Sequence, residues 1–156
     1  MDFFSVYPSS IKINGRFAAF EALESVSLSP IIKVFFISPP IISMAVCTNK
    51  QERLSIDLLK KIKIYDFFDY VAGGNTFDFN KPNPKHLTHT IEVIGGDIKK
   101  TLMIGDSETD SNASKAANLP FILIDEGYTE KKSNQIHHDH LVKNFIGLEK
   151  IIEKYL

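Results

Sequence analysis

The chain has 156 residues, 44% of them hydrophobic, and a formal net charge of −1. This length accommodates one ordinary domain with a buried core and leaves no room for a second full domain. The nearly balanced charge excludes the strongly basic surface expected of a nucleic-acid-binding protein or of a polybasic membrane-surface protein.

The cysteine content and the apolar segments predict a cytoplasmic location. Cys47 is the single cysteine, so the chain cannot form an internal disulfide, and its apolar neighbours favour a buried thiol. Lys33 and the Pro39-Pro40 pair interrupt the apolar region between Ile31 and Cys47 well short of a membrane-spanning length. We therefore expect neither a membrane span nor, without a basic opening segment, a secretory signal.

Residues 1–44 differ in composition from the rest of the chain. They carry only six of the 37 charged side chains, are rich in Ser, Phe and Ile, and show no clear periodicity except for a short helical pattern at 17–26. We interpret 1–44 as an atypical segment of uncertain order and 45–156 as the domain with regular structure.

Strand-like and helix-like patterns alternate from Ala45 onward. Apolar runs predict strands at 44–47, 70–72, 102–104 and 121–124. Helical periodicity predicts helices beginning at Asn49, with Leu54, Leu58 and Ile62 on one face, then after Pro84, after Asp106 and near Leu148. This alternation predicts an α/β fold with a doubly wound parallel sheet and ligands at the carboxyl ends of the strands.

The segment from Thr101 to Asp110 is the most informative for function. A short apolar run ends at Gly105, and two aspartates follow at positions 106 and 110. One or two carboxylates at a strand end suffice to hold Mg²⁺, so Asp106 is a candidate ligand, with Asp110 orienting a water, Lys81 or a backbone group. The alternative is a helix cap formed by Asp106 or Ser107, and the isolated pattern does not separate the two.

Two further features fall at predicted strand ends. Thr48 and Asn49 follow the first strand and precede a helix, where a hydroxyl and free N–H groups either bind an anion or simply cap the helix. Lys81 lies just before Pro82 and close to Pro84, which stiffen the loop and favour a phosphate-binding lysine over a solvated one.

These motifs resemble a known family. In chain order, Thr48-Asn49, Lys81-Pro82 and Gly105-Asp106-x-x-x-Asp110 resemble the second, third and fourth motifs of the haloacid-dehalogenase superfamily of phosphatases. Six blocks are similar to bacterial phosphoglycolate phosphatases in order and spacing: 45–50, 73–77, 81–84, 95–97, 105–110 and 127–129.

The resemblance implies a Rossmann-like core and a Mg²⁺-dependent phosphatase that converts 2-phosphoglycolate to glycolate and phosphate through an aspartyl-phosphate. It implies that Thr48 and Asn49 bind phosphoryl oxygens and that Lys81 offsets their charge. By the same resemblance Asp106 holds the metal, and Asp110 and Ser107 support it. Positioning and charge neutralisation are the main requirements of phosphoryl transfer.

The first motif of the family, Asp-x-Asp-Gly-Thr, is not found in the sequence. Asp2 is the only aspartate before Asp57, and no second acid stands two positions after it. The apolar run that most resembles the family's strand has Phe36 and Ser38 at the positions of the two acids. We therefore expect no catalytic nucleophile, no general acid and no cap domain, and we hypothesise an N-terminally truncated or frame-disrupted chain.

Three functional hypotheses remain open. The first is a phosphatase by descent that is inactive as this lone chain; the second is a split enzyme completed by another polypeptide. The third is a non-catalytic module that binds phosphate or metal. Each implies a small phosphorylated metabolite or its anion as partner, and none implies nucleic acid or membrane.

Histidines are the remaining candidates. The segment 137–140 contains three histidines and an aspartate, a pattern that suggests either a transition-metal site or, as we prefer, a solvated loop. His86 and His89 lie close to Lys81 in sequence, and they either face the site or lie on the helix surface.

Overall fold

The computed structural model describes residues 43–125, 129–143, 145, 146 and 148–155, so the predicted atypical segment falls almost entirely outside the described residues. In chain order the regular elements are β1 (Ala45–Cys47), α1 (Glu52–Lys61), β2 (Tyr70–Ala72), α2 (Pro84–Val93), β3 (Met103–Gly105), α3 (Glu108–Ala117), β4 (Phe121–Ile124), β5 (His140–Val142) and α4 (Leu148–Ile152). Short 3₁₀ helices lie at Tyr65–Phe67, Ile98–Lys100 and Ser133–Gln135.

All strand pairs among the described residues are parallel. β1 pairs with β2, with Val46 opposite Val71. β3 pairs with β4, and β4 pairs with β5. These ladders form a two-stranded and a three-stranded sheet, which confirms the predicted parallel α/β architecture.

The two sheets share one hydrophobic core on each face. Alternate strand residues point to opposite faces, so Val46 of β1 and Ile104 of β3 enter one cluster, whereas Cys47 and Met103 enter the other. The first cluster also contains residues of α1 and α4, and the second contains residues of α2 and α3. Helices therefore cover both faces, as a doubly wound fold requires.

Helix α1 differs from the prediction in its first residue and in the side chains that it buries. The helix begins at Glu52 rather than at Asn49, because residues 49–51 form the loop after β1. Ser55 and Leu59 are its buried residues, whereas Leu54 is 62% exposed. Leu54, which the helical spacing grouped with Leu58 and Ile62 on one face, therefore does not lie on the buried face of α1.

The histidine-rich segment forms part of an edge strand, so the loop prediction was wrong for its last residue. His140 opens β5, and the Asp139 carboxylate accepts a hydrogen bond from the Phe121 backbone N–H at 2.8 Å. A three-residue edge strand is too short to display a period in the sequence. Among the described residues no helix is long and apolar enough to cross a membrane.

Candidate functional site

The predicted site residues lie at the carboxyl ends of two strands. Thr48 directly follows β1, and Asp106 directly follows β3. Lys81 precedes α2, and Asp110 lies in the first turn of α3. All four residues are buried, with at most 5% of the surface of each exposed.

Lys81 connects the two sheets. Its ammonium Nζ donates a hydrogen bond to the backbone carbonyl of Cys47, the last residue of β1, at 2.6 Å. The same Nζ lies 2.7 Å from Oδ1 of Asp110, which belongs to the helix after β3. The flexible lysine chain is therefore held in one place, and its positive charge is fixed between the two strand ends.

The second oxygen of Asp110 organises the turn after β3. Oδ2 accepts a hydrogen bond from the Ser107 hydroxyl at 2.7 Å and one from the Asp106 backbone N–H at 3.3 Å. The turn also needs glycine at position 105, since a Cβ there would lie 2.7 Å from Cβ of Asp110. Asp110 thus links the lysine to the backbone that carries Asp106.

Ser107 forms the cap of α3. Its hydroxyl accepts a hydrogen bond from the Asp110 backbone N–H at 3.3 Å. The helix-capping function that the sequence left open between Asp106 and Ser107 therefore belongs to Ser107. The carboxylate of Asp106 is not the cap of this helix.

Asn49 contacts the backbone of Lys81. Its Oδ1 accepts from the Lys81 N–H at 3.0 Å, and its Nδ2 donates to the Lys81 carbonyl at 2.8 Å. Both ends of the side-chain amide therefore join the loop after β1 to the loop before α2. The backbone N–H of Asn49 and the second N–H of its Nδ2 retain the capacity to donate to an anion.

Thr48 has a hydroxyl at the start of the same loop. Its Oγ1 accepts a hydrogen bond from the Lys50 N–H at 3.2 Å, and its backbone N–H donates to the Ala72 carbonyl at 2.8 Å. Because a hydroxyl can accept and donate at once, Oγ1 retains the capacity to donate to a phosphoryl oxygen.

Sequence reasoning missed the contacts that hold the end of the loop after β1, where α1 begins. The first amide of α1, at Glu52, donates to Oδ1 of Asn75 at 2.8 Å, and the Thr76 hydroxyl contacts the Glu52 carboxylate and accepts from the Gly73 N–H. The Gly73-Gly74-Asn75-Thr76 turn was visible as a sequence block. A cap supplied by a residue 23 positions away leaves no local signal.

His86 is a buried residue of the site that the sequence left undecided. It is fully buried in the first turns of α2, and its Nδ1 accepts a hydrogen bond from the Lys81 N–H at 3.3 Å. Burial, together with the nearby Lys81 charge, lowers the pKa of the imidazole from 6.5 to about 4. The ring is therefore neutral at physiological pH.

Cys47 is not a reactive thiol. Burial raises its pKa to about 11, and Lys81 opposes that shift only in part. A protonated, buried thiol is a poor nucleophile, so the side chain acts as part of the core.

The donor groups of the site suit one class of metal ion. Among the described residues no group of three or more His, Cys, Asp or Glu side chains could hold one. Mg²⁺ binds one or two carboxylates and completes its octahedron with water and phosphate. Asp106 lies directly after β3 and fits as such a carboxylate, and Asp110 contacts Lys81 and Ser107.

Comparison with known sequences matches the chain to one family of hydrolases. The model of the haloacid dehalogenase-like hydrolase family matches residues 39–124. The chain is 40% identical over 105 residues to a phosphoglycolate phosphatase of Mesorhizobium japonicum, covering 67% of this chain and 46% of the relative. It is 37% identical over 118 residues to one of Agrobacterium fabrum, covering 72% and 51%. The chain thus spans about half the length of these curated relatives.

Solved structures show the same fold. A protein described as a predicted phosphoglycolate phosphatase from Haemophilus somnus has a TM-score of 0.70 at 23% identity, over 88% of this chain and 56% of that chain. CbbY from Rhodobacter sphaeroides, solved in complex with phosphate, has a TM-score of 0.61 at 22% identity, over 69% and 48%.

Proposed function

Because the chain belongs to the haloacid dehalogenase-like hydrolase family, we propose that its described residues form the phosphate-binding part of a phosphomonoester hydrolase of the phosphoglycolate phosphatase type. The observation that carries this proposal is the Lys81 ammonium, held between the Cys47 carbonyl and the Asp110 carboxylate at the strand ends. A buried cation fixed at that edge of a parallel sheet suits a phosphoryl group.

The side chains have distinct proposed roles in phosphate binding. Lys81 offsets the charge of the phosphoryl oxygens, and the Thr48 hydroxyl donates a hydrogen bond to one of them. Asn49 holds the Lys81 loop through its side chain and offers its backbone N–H to the anion. Asp110 keeps the ammonium in place, and Ser107 keeps Asp110 in place.

Asp106 is the proposed protein ligand of Mg²⁺. Bound there, the ion would offset negative charge on the phosphoryl oxygens. Asp110 holds the backbone N–H of Asp106 and so fixes the start of the segment that carries the ligand.

The proposed substrate is 2-phosphoglycolate or a similarly small phosphomonoester. The support comes from the phosphoglycolate phosphatases that match this chain at 37–40% identity. The neighbouring CbbY fold has also been solved with phosphate and, in a mutant form, with xylulose-1,5-bisphosphate.

Turnover by the 156 residues alone is not expected. The sequence contains no pair of aspartates separated by one residue, so the proposed nucleophile and general acid have no counterpart in it. Losing a covalent nucleophile removes several orders of magnitude of rate, whereas binding contacts persist. On this proposal, a polypeptide segment with that motif would have to complete the site; without it, the chain is a phosphate- and metal-binding module.

Phosphate binding is the direct test. Titration calorimetry of inorganic phosphate in the presence of Mg²⁺ should show binding to the wild-type chain, and Lys81→Met or Asp106→Asn should each weaken it about tenfold or more, a loss of about 1.4 kcal/mol. Lys85→Met is the matched control, because Lys85 lies exposed on α2, the helix that follows Lys81 in the chain. Absence of binding to the wild type, or equal loss in the control, would contradict the proposal.

A phosphate-release assay tests the catalytic part. With 2-phosphoglycolate and Mg²⁺, the pure chain should release no phosphate above the Asp106→Asn background. Activity that appears on mixing with a polypeptide containing Asp-x-Asp would support a split enzyme. Efficient turnover by the chain alone would overturn the assignment of inactivity.

A further inference from the structure

His86 makes a contact that the proposed function does not use. The imidazole is fully buried, and Nδ1 accepts a hydrogen bond from the backbone N–H of Lys81 at 3.3 Å. A ring nitrogen that accepts a hydrogen bond carries no proton, so the neutral ring has its proton on Nε2. This contact fixes one tautomer of the ring.

The Lys81 N–H is shared between two acceptors. Oδ1 of Asn49 lies 3.0 Å from the same nitrogen, and Asn49 comes from the loop after β1, whereas His86 comes from α2. Two elements therefore hold the lysine backbone from different sides. The position of the backbone determines where the ammonium can reach the Cys47 carbonyl.

The surroundings of His86 keep its ring in place. The Phe77 ring packs edge-on against it with 5.8 Å between ring centroids, and the His86 carbonyl accepts from the Thr90 hydroxyl at 2.6 Å. The Cys47 thiol lies 3.7 Å from the same carbonyl. The Phe77 contact restrains the ring itself, and the two carbonyl contacts hold the His86 backbone from which the ring extends.

Burial of the ring and the nearby Lys81 charge keep it neutral. Burial and the Lys81 charge both lower the pKa of the imidazole, and a backbone group of Gly73 opposes them only in part. No described residue makes a hydrogen bond of ordinary geometry to Nε2. A protonated ring would present N–H groups at both nitrogens, and Nδ1–H would then face the Lys81 N–H.

We infer that His86 is a positioning residue for the proposed phosphate-binding lysine, which it holds through Nδ1 at the Lys81 backbone. The inference rests on the proposed function for its consequence, namely phosphate affinity. The contact itself is independent of that function. The His86–Lys81 contact and the phosphate affinity can therefore be measured separately.

Two substitutions separate the hydrogen bond from the bulk of the ring. In His86→Asn, Oδ1 can occupy the position of Nδ1 and accept from Lys81, whereas His86→Gln moves the nearest acceptor one bond further out. By native-state hydrogen exchange, His86→Gln should accelerate exchange of the Lys81 amide about fivefold to tenfold, which corresponds to one net hydrogen bond. His86→Asn should stay within about threefold of the wild type, and phosphate affinity should follow the same order.

His89→Gln is the matched control. His89 packs against Phe77 at 5.7 Å and against Phe79 at 4.9 Å, so it belongs to the same aromatic group, yet these ring contacts do not involve Lys81. The control should leave Lys81 exchange unchanged. Equal acceleration in His86→Gln and His89→Gln would show a merely structural effect and overturn the inference.

The wild-type chain provides a test that needs no variant. Long-range ¹H–¹⁵N correlation spectra at pH 7 should show His86 protonated at Nε2 and not at Nδ1. Protonation at Nδ1 would overturn the inference. If the tautomer and the exchange data agree but the wild type does not bind phosphate, the positioning contact stands and the proposed function fails.

Discussion

Lys81 and Asp110 form an ion pair in which both side chains are almost completely buried, with exposures of 2% and 1%. The pair joins the loop before α2 to the helix after β3, and the lysine also reaches the end of β1. Such a pair is costly to break, because removing one partner leaves an uncompensated charge inside the protein.

Lys81→Met should therefore lower the free energy of unfolding by about 3–5 kcal/mol at pH 7, measured by urea denaturation. Adding Asp110→Asn should recover part of the loss by removing the buried charge. Lys131→Met is the control: its partner Glu108 is 41% exposed, and an exposed pair contributes about 1 kcal/mol or less. If Lys81→Met and Lys131→Met lost similar free energies of unfolding, burial would not make the Lys81–Asp110 pair more costly to break.

Asn49→Ala should destabilise the chain because it removes both hydrogen bonds to the Lys81 backbone. The expected loss is about 1–3 kcal/mol, since the part-buried Lys81 carbonyl loses this donor and the Lys81 N–H keeps only the longer contact to His86 Nδ1. Asn112→Ala, on the exposed side of α3, should change stability by about 0.5 kcal/mol or less. Thermal or urea unfolding of the two variants under one set of conditions measures the difference.

Periodicity was sufficient for the fold of residues 45–125. The strands at 70–72 and 121–124 have the predicted bounds, and α2 begins at Pro84, where the sequence placed a helix. These segments show strong local patterns. The start of α1 was misplaced because Asn49 resembles a helix cap, although its side chain bonds to Lys81, 32 positions away.

The positions of Thr48 and Asp106 could be predicted, but the contacts of the candidate site could not. Both residues lie directly after strands, as their sequence patterns indicated, and parallel strands bring such ends to one edge. The Cys47 carbonyl as a partner of Lys81 has no sequence signal, because every residue carries the same backbone oxygen. The tautomer of His86 likewise depends on a backbone N–H from another loop.

Gly73→Ala should be poorly tolerated. A Cβ at position 73 would lie 2.2 Å from the backbone nitrogen of Glu52, and a backbone atom at the start of α1 cannot move aside cheaply. The expected loss is about 2–3 kcal/mol, as for other overpacking changes. Calorimetric unfolding measures it, and a variant as stable as the wild type would show that the junction between β2 and α1 is looser than these distances indicate.

Gly95→Asn is the control for that substitution. Gly95 has a φ of +68° after α2, and nothing lies within 4 Å of its would-be Cβ. Asparagine tolerates the left-handed conformation better than other residues with a side chain. The Gly95→Asn variant should therefore lose about 1 kcal/mol or less of its free energy of unfolding.

His86 should give stability a specific pH dependence. Its pKa is about 4 in the folded chain, lowered first by burial and then by the Lys81 charge, against 6.5 as the ordinary value. The unfolded state therefore binds the proton more tightly, so the contribution of His86 is complete above pH 6.5 and is lost as the pH falls towards 4. From pH 7 to pH 5 this loss is about 2 kcal/mol. Urea denaturation at several pH values measures it, because the wild type should lose about 2 kcal/mol relative to His86→Asn between pH 7 and pH 5. Parallel curves for wild type and His86→Asn would refute the assignment.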